Sequence, residues 1–438
     1  MKNKKALAFT LSVCLLLSGI STGCAKNGSQ TSMADSSTGG GKTNISLFNS
    51  KGEISNSLQS AAKKFNDSNK SGITISVTTL SGSATVDETM MTKYASGNPC
   101  TINMVDAPIG VQTYAAKSLD LSSEPWVKKI NTNFVSVLKS GDKLIAFPFA
   151  VEGNGMIYNK TTIEKATGEK FDPSTIQSLS DLEALYKKIE AGGVAPVEIS
   201  HEDWSMASHY LGTAYATQGP DYLKKLKEGT ADISTNKTFN GLIKLLDLNK
   251  KYNIYKKSPM SSDYNTTDPK NIGTGKVAFW FNGVWVWPNV SQFLTGDHAK
   301  DEFGLLPLFA DSKTTDSVTA SVTKVLLVDS VKATDQQQKA AKEFLNWLAS
   351  DPAGQKALVE DMDLIPAFTN ITFSPDNGIA KSIQQYMKTN NTVPSANVSG
   401  DYQTEVGALM QQYLVGRINK ATLAKSINSY FKSANWVK

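Results

Sequence analysis

The stretch from residue 273 to residue 293 places a strand directly before a helix, and it constrains the fold more than any other part of the chain. Its sequence is GTGKVAFWFNGVWVWPNVSQF. Residues 276–281 are apolar and rich in valine and aromatic residues, which indicates a buried strand. Asn282 and Gly283 interrupt this pattern, and Pro288 is typical of a first helical turn. In open α/β sheets, ligands bind at the edge where strands pass into helices.

The aromatic residues of this stretch have two interpretations. A flat indole exposed at the sheet edge suits the apolar face of a sugar ring, because it offers a rigid surface and one N–H donor. Trp285 and Trp287 follow the interruption of the strand and are the candidates for this role. The alternative is that every aromatic residue belongs to the core, which is the better interpretation for Phe279, Trp280 and Phe281.

The first 23 residues have the pattern of a signal peptide. A lysine-rich start precedes the apolar segment 6–20, which is too short and wrongly flanked for a membrane span. The segment ends in Ser-Thr-Gly before Cys24, which resembles a bacterial lipoprotein signal, although Ser21 stands where that pattern prefers Leu or Val. The resemblance implies a lipid on Cys24. The alternative is an ordinary secretory signal that is cut elsewhere.

The segment that follows, residues 24–42, is rich in Ser, Thr and Gly. It contains too few apolar residues to build a core and therefore predicts a flexible tether. A lipid and a tether together would hold the protein on the outer face of a membrane. The 396 residues after residue 42 are too many for one ordinary core and predict two domains.

Charge limits the partners that this chain can bind. The formal charge falls from +5 to +2 when Lys2, Lys4 and Lys5 leave with the signal. Arg417 is the single arginine of the chain. Arginine forks usually recognise phosphate and carboxylate groups, so the composition argues against nucleic acid and weakly against anionic ligands. The low charge also predicts a monomer.

Cysteine and histidine usage gives no reason to expect a disulfide, a metal ion or a cofactor. Cys14 would leave with the signal, and Cys24 would carry the lipid. Cys100 would then be the one cysteine with a free thiol, so an internal disulfide is not possible. The three histidines are scattered too widely for a convincing metal site. They are His201, His209 and His298. His201 with Glu202 and Asp203 offers a cation site in principle, although a solvated loop is the better interpretation.

Strands alternate with helices at the start of the predicted fold. Residues 45–48 read as a strand, and apolar residues between 54 and 65 recur at helical spacing. Residues 73–77 alternate as a second strand, and residues 102–105 form a third, followed by Asp106 and a predicted helix. This order predicts a doubly wound α/β domain.

Two long β-rich runs predict crossings between the domains. The run 144–151 contains Pro148, and proline is disfavoured in a central strand, which a crossing segment would explain. The run 318–328 is the second candidate.

Helix signals are frequent after the first crossing. Two capping-box patterns predict helix starts, one with Thr161 and Glu164 and the other with Ser180 and Glu183. Amphipathic patterns predict three further helices near the end of the chain, at about 376–388, 403–414 and 421–432.

Several segments, taken in order, carry a resemblance to a known family. They are YAAKSLDL at 114–121, FPFAVE at 147–152, IYNK at 157–160, GKVA at 275–278, NGVWVWPN at 282–289, and the late pair FLNWL at 344–348 and IPA at 365–367. With these segments the chain resembles the family 1 extracellular solute-binding proteins of carbohydrate ABC transporters. It departs from the family pattern at residues 99–101 and 321–323.

The resemblance implies the fold. It predicts two doubly wound α/β lobes joined by crossing segments, of the periplasmic-binding-protein type II. The N-terminal lobe would comprise residues 43–150 and 320–372, and the C-terminal lobe residues 151–319 and 373–438.

The resemblance also implies a sugar between the lobes and residues that contact it. Glu152 matches a family glutamate that contacts sugar hydroxyls, and Trp285 matches a tryptophan that stacks on a sugar ring. Asp106 lies at a strand end that lines the cleft, and Trp204 lies in a loop that often carries an aromatic platform. The expected ligand-binding residues are Trp285, Glu152, Asp106, Trp204, Lys51, Glu53 and Trp287.

Each polar candidate also has a structural interpretation. Glu152 suits an ion pair, and Asp106 suits the N-cap of a helix over residues 107–116. Lys51 and Glu53 suit a solvated pair on the loop after the first strand.

We therefore expect a receptor without catalytic activity, whose partners are a carbohydrate, the permease subunits of an ABC transporter, and the membrane through a lipid on Cys24. One alternative is a secreted hydrolase of carbohydrates. It needs two carboxylates about 5–5.5 or 6.5–9.5 Å apart, and Glu152 with Glu202 or Asp203 is the conceivable pair. Another alternative is a receptor for a solute that is not a sugar.

Overall fold

The computed structural model describes residues 42–80, 85–398 and 401–437. The predicted signal peptide and Cys24 lie outside these residues, as does the predicted tether apart from Lys42. Within the described residues, no helix is both long enough and apolar enough to cross a membrane.

Thirteen strands fall in the described part of the chain. In order they are β1 Thr43–Asn49, β2 Ile73–Thr79, β3 Ile102–Asp106, β4 Lys139–Ser140, β5 Lys143–Leu144, β6 Ala146–Asn159, β7 Ala195–Glu198, β8 Val277–Gly283, β9 Phe303–Leu306, β10 Phe309–Ala310, β11 Lys313–Thr314, β12 Val318–Val328 and β13 Thr392–Val393.

The described residues form fifteen α-helices and two π-helices. The α-helices are α1 Ser55–Ser68, α2 Val86–Ala95, α3 Ile109–Thr113, α4 Lys160–Thr167, α5 Leu179–Ala191, α6 Gly212–Ala216, α7 Tyr222–Glu228, α8 Lys237–Tyr252, α9 Thr267–Gly273, α10 Trp287–Ser291, α11 Asp335–Ser350, α12 Pro352–Lys356, α13 Gly378–Lys388, α14 Tyr402–Leu414 and α15 Lys420–Ser433. The π-helices are Ser205–Leu211 and Ala357–Asp361.

Nine of the strands form one mixed sheet. Its order is β2-β1-β3-β12-β6-β8-β7, with β13 beside β12 and β9 beside β6. Strands β1, β2 and β3 run parallel to one another, whereas β12 runs antiparallel to both β3 and β6. The helices alternate with the parallel strands, which confirms the predicted α/β class.

Strand β6 connects the two halves of the sheet. Its fourteen residues are all buried. Residues 146–154 pair with β12, and residues 154–159 pair with β8 and β9. The strand therefore passes from one set of partners to another, and β6 and β12 are the crossing segments that the sequence predicts.

Pro148 lies inside this central strand, where the sequence argued against a proline. It lies opposite Val325, at a position where the register between β6 and β12 shifts. A bulge leaves backbone groups out of the regular ladder, so a residue without an N–H is tolerated there.

The described residues build two hydrophobic cores. Phe48, Phe147 and Phe344 belong to the first, and Tyr186 and Phe279 belong to the second. Strand β8 contributes to both cores, with Trp280 in the first and Phe279 in the second. The fold has the two lobes expected from the sequence, and the proposed boundaries between them stay a prediction.

The structure corrects several local predictions. Asn282 and Gly283 do not interrupt the strand but are the last residues of β8. Both predicted helix caps lie two residues too late in the chain: α4 is capped by Asn159 in place of Thr161, and α5 by Ser178 in place of Ser180. The capping boxes that form are Thr85 with Glu88 and Thr334 with Gln337.

Candidate functional site

A cleft of about 520 Å³ opens where β1, β3, β6 and β12 meet the loops before α10 and the first π-helix. Six of the seven residues predicted to bind ligand line this cleft. They are Lys51, Glu53, Asp106, Glu152, Trp204 and Trp285. These residues are up to 234 positions apart in the sequence, so tertiary packing brings them together.

The loop after β1 carries Lys51 into the wall of the cleft. The Asn49 side chain holds the loop, because its Oδ1 accepts from the Lys51 N–H at 2.9 Å and its Nδ2 donates to the Lys51 carbonyl at 2.8 Å. Lys51 is buried, with 4% of its side chain exposed, and its Nζ lies 2.6 Å from Glu152 Oε1 and 2.5 Å from Glu53 Oε1. The sequence interpretation of Lys51 and Glu53 as a solvated pair is therefore wrong for the lysine.

Glu152 is the buried carboxylate that this lysine neutralises. It lies on β6 opposite Ser321. Its second oxygen, Oε2, accepts a hydrogen bond from Thr323 Oγ1 at 2.5 Å. Thr323 lies at the register shift between β12 and β6, and the bulge turns its hydroxyl toward Glu152.

The two groups keep each other charged. Burial would raise the pKa of Glu152, but Lys51 and the Thr323 hydroxyl together hold that pKa below its usual value. Burial would lower the pKa of Lys51, but Glu152 and Glu53 raise it above its usual value. Both groups are therefore ionised at neutral pH, and the ion-pair interpretation of Glu152 is confirmed.

Asp106 and Lys324 form a second pair at the rim. Lys324 Nζ lies 2.5 Å from Asp106 Oδ1 and donates to Ser50 Oγ at 3.3 Å. The Asp106 side chain is 56% exposed, so this pair adds little stability. The helix after Asp106 begins at Ile109 and is capped by Pro108, so the predicted N-cap role of Asp106 is wrong.

Four aromatic rings form the opposite wall. Trp204 immediately precedes the first π-helix, and its ring centroid lies 4.8 Å from that of Tyr264 and 5.3 Å from that of His209. The His209 ring in turn lies 4.5 Å from Trp285. We call Trp204, His209, Tyr264 and Trp285 the aromatic wall.

The turn after β8 explains why Trp285 faces the cleft. Val284–Val286 is a 3₁₀-helix in which Val284 and Val286 are buried and Trp285 is half-buried. The indole lies directly over Gly283, where an added Cβ would be 2.1 Å from the ring. Only glycine permits so close an approach.

Trp287 does not line this cleft, but it lines a small adjoining pocket together with Trp285, Lys51, Glu53 and Glu152. Its ring packs edge-on against Phe303 at 5.4 Å, and it lines a neighbouring groove of about 770 Å³ beside Tyr158 and Tyr386. The two tryptophans therefore share the small pocket, but only Trp285 also lines the cleft and only Trp287 also lines the groove.

The alternatives raised for residues 201–203 do not find support in the geometry. His201 Nδ1 is bonded to Ser262 Oγ at 2.6 Å, and among the described residues no three His, Cys, Asp or Glu side chains are arranged to hold a metal ion. Neither Glu202 nor Asp203 lines the cleft beside Glu152.

The sequence model described as bacterial extracellular solute-binding protein matches residues 60–389. The chain belongs to this family. Among curated relatives of this solute-binding protein, an uncharacterised ABC transporter extracellular-binding protein of Pyrococcus horikoshii is 25% identical over 246 residues. That match covers 54% of each chain, so the solute-binding protein described here spans about half the length of that relative.

Solved structures share the fold of this solute-binding protein. The ligand-free RafE of Streptococcus pneumoniae superimposes with a TM-score of 0.70 over 89% of this chain and 97% of its own, at 17% identity. RafE in complex with raffinose gives a TM-score of 0.71 over 89% of this chain and 99% of its own, also at 17% identity. A family 1 extracellular solute-binding protein of Bifidobacterium longum subsp. infantis gives 0.63 over 90% of this chain and 100% of its own, at 20% identity.

Sequence reasoning missed more than half of the residues that line the cleft of this solute-binding protein. Tyr264 lies in a loop that carries no motif, and His209 was considered only as a metal ligand. Thr323 and Lys324 lie in the predicted crossing 318–328, but the bulge that turns them into the cleft leaves no mark in the sequence.

Proposed function

We propose that this solute-binding protein is a sugar receptor of an ABC transporter and has no catalytic activity. The observation that carries the proposal is the composition of the cleft, in which an aromatic wall faces carboxylates and lysines. Aromatic faces suit the C–H face of a sugar, and charged groups bond its hydroxyls strongly. The raffinose complex of RafE, a chain of the same fold, supports the same ligand class.

The charges of the cleft favour a neutral ligand. Each lysine that lines it already holds a carboxylate: Lys51 holds Glu152 and Glu53, and Lys324 holds Asp106. An anionic solute would have to displace one of these carboxylates, whereas sugar hydroxyls can use the lone pairs that the carboxylates leave free.

The ionisation of Glu152 argues against this residue as the acid of a hydrolase. A glycosidase needs one carboxyl group whose raised pKa keeps it protonated. Lys51 instead lowers the pKa of Glu152. Its second oxygen is also occupied by Thr323. A carboxylate fixed in this way accepts hydrogen bonds from sugar hydroxyls but is a poor proton donor.

A saccharide panel tests the proposal. We would measure thermal shifts and calorimetric binding with galactose, glucose, sucrose, maltotriose, raffinose and stachyose, and analyse each mixture afterwards for cleavage products. We expect at least one saccharide to bind and to be recovered intact. Release of smaller sugars would point to the hydrolase, and binding of amino acids or peptides in place of every sugar would point to another solute.

We also propose that a lipid on Cys24 anchors the receptor to the outer face of the cell membrane, where it delivers sugar to permease subunits as a monomer. The support is the signal-like sequence before Cys24. Cys24→Ala should release the protein into the medium or leave the precursor uncleaved. Unchanged, detergent-dependent retention of this variant on membranes would contradict the anchor, and a stable dimer in sedimentation would contradict the monomer.

A further inference from the structure

We propose that His209 is a specificity-determining residue of the cleft, whose imidazole exchanges a hydrogen bond with a hydroxyl group of the bound saccharide. This inference rests on the proposed sugar-binding function and adds to it a residue and a role. No sequence motif points to His209, so the inference comes from its surroundings in the fold.

The backbone around His209 is the first indication. Ser205–Leu211 is a π-helix, and its wider turn brings Trp204, Ser208 and His209 to the wall of the cleft. A π-turn is less stable than an α-turn and occurs frequently at functional sites. In this protein the π-helix places Trp204, Ser208 and His209 side by side in the cleft wall.

The position of the ring is the second indication. The imidazole lies between two indoles, 4.5 Å from Trp285 at a tilt of 45° and 5.3 Å from Trp204 at 72°. It therefore joins the two tryptophans into one surface. A sugar stacked on Trp285 would lie next to the imidazole, within reach of a hydrogen bond.

The hydrogen bonding of the ring is the third indication. Nδ1 of His209 is buried and has no partner among the described residues. The other two histidines differ, because Nδ1 forms a hydrogen bond in each. Nδ1 of His201 is hydrogen-bonded to Ser262 at 2.6 Å, and Nδ1 of His298 to Asp301 at 3.0 Å. A buried polar atom without a partner raises the free energy of the protein, and a new hydrogen bond removes this penalty. Because Nδ1 is buried in this conformation, a ligand hydroxyl reaches it only after the ring turns. A half-turn of the His209 ring about its Cβ–Cγ bond brings Nδ1 to the place that Cδ2 occupied before.

The charge state suits this role. Burial lowers the pKa of His209 to about 4, and the carboxylate of Glu152 opposes that change only in part. The charged groups that share the cleft are already paired, as Glu152 and Glu53 are with Lys51 and Asp106 is with Lys324. The imidazole is therefore neutral at neutral pH. A neutral imidazole has one donor and one acceptor, so it matches a hydroxyl group in either direction.

Four variants test the inference. His209→Phe keeps an aromatic ring in the wall but removes both nitrogens, His209→Asn keeps a polar group near the position of Nδ1, and His209→Gln keeps one near Nε2. His298→Asn is the control, because His298 lies outside the cleft. Calorimetry at pH 7 with the saccharide of the panel that the wild type binds most tightly gives the affinity, and a melting curve shows that each variant is folded.

We expect His209→Phe to bind about threefold to tenfold more weakly, which is the affinity ratio of one neutral hydrogen bond. One of the Asn and Gln variants should restore most of the loss, and His298→Asn should bind like the wild type. His209→Phe that binds as tightly as the wild type would overturn the inference and leave the sugar receptor intact. A wild type that binds no saccharide of the panel would overturn the proposed function and this inference with it.

Discussion

Lys51 and Glu152 stabilise one another, and neither side chain tolerates the loss of the other. Lys51→Met leaves the Glu152 carboxylate buried without its cation, so we expect a loss of about 3–5 kcal/mol in the free energy of unfolding. The double variant with Glu152→Gln should recover much of this loss, because it removes both charges. Urea unfolding at pH 7 measures these values.

An exposed pair provides the control for this prediction. Lys63 and Asp67 on α1 are 2.6 Å apart, with 74% and 63% of their side chains exposed. Lys63→Met should cost less than about 1 kcal/mol. If Lys51→Met and Lys63→Met proved equally mild, the buried pair would not have the structural role assigned to it.

Trp285 and Trp287 should separate in one binding experiment. Trp285 faces the cleft, so Trp285→Ala should weaken saccharide binding by about 1–3 kcal/mol, the range measured for stacking of bases on aromatic side chains. Trp287 packs against Phe303 and lines only the small pocket beside the cleft, so Trp287→Ala should weaken binding less than Trp285→Ala and lower the melting temperature more. Calorimetry and a melting curve on each variant give both quantities. Equal losses of affinity would show that both indoles contact the sugar.

Local sequence identifies residue types that can bind a sugar. It does not predict which of these residues lie together in the folded protein. Trp285 is recognisable because it follows a buried strand. Trp287, two residues later, has the same local signal, but its ring packs against Phe303 and lines only the small pocket beside the cleft. His209 and Tyr264 are 55 residues apart, and only the packing of the π-helix against the loop before α9 brings them into one wall.

At the scale of the elements, helix starts show what local sequence leaves undecided. The predicted box of Thr161 and Glu164 is a valid capping pattern, yet Asn159 caps α4 because β6 ends there. The Asn159 side chain is held at this place by further contacts, donating to the Ile272 carbonyl at 3.1 Å and to Asp301 at 3.0 Å. Two neighbouring residues were able to cap the helix, and tertiary contacts selected one of them.

The end of β7 carries a buried acid that should make stability depend on pH. Glu198 is fully buried, its Oε2 accepts from Asn271 Nδ2 at 3.0 Å, and its Oε1 has no partner within the described residues. Burial, with a smaller contribution from the charge of Asp268 in α9, raises the pKa of Glu198 well above its usual value. The same effect of burial raises the pKa of Asp268 to about 6.

The sign of the effect follows from the proton that the folded state retains. The unfolded chain releases it near pH 4.3, whereas the folded protein holds it to higher pH. The stability that the protonated Glu198 contributes is therefore complete below about pH 4.3. It is lost as the pH rises toward the pKa that Glu198 has in the folded protein. Glu198→Gln keeps the shape without the acid, so its unfolding free energy should fall less between pH 5 and pH 8 than that of the wild type.

Urea unfolding at several pH values checks this prediction. Glu228→Gln, at the exposed end of α7, is the control and should follow the wild type. Parallel curves for the wild type and Glu198→Gln would show that the carboxyl group does not couple folding to pH.

On the scale of the whole molecule, the sequence predicts the class of the fold better than it predicts which strands pair with one another. The local alternation of strands and helices identifies β1, β2 and β3, and the two long apolar runs identify β6 and β12 as crossings. The joining of nine strands into one sheet depends on pairings between residues as distant as Ala146 and Leu327. Such pairings leave no local pattern. The lobe boundaries expected at residues 150, 319 and 372 stay a prediction for the same reason.

The last prediction is that a saccharide closes the two lobes. The cleft takes Lys51, Glu53 and Asp106 from the β1 and β3 side and Trp204 and Trp285 from the other side, so one ligand can touch both. A ligand shifts a conformational equilibrium only when it binds the two forms differently, and a sugar that bridges both walls binds the closed form better. X-ray scattering of the chain from residue 43 onward should therefore give a smaller radius of gyration with saturating saccharide than without it. Trp285→Ala at the same sugar concentration should stay close to the ligand-free radius, which separates closure from a general effect of the sugar solution. An identical radius for the saturated and free wild type would mean that the ligand binds without moving β6 and β12, and that the crossing strands hold the lobes in one fixed arrangement.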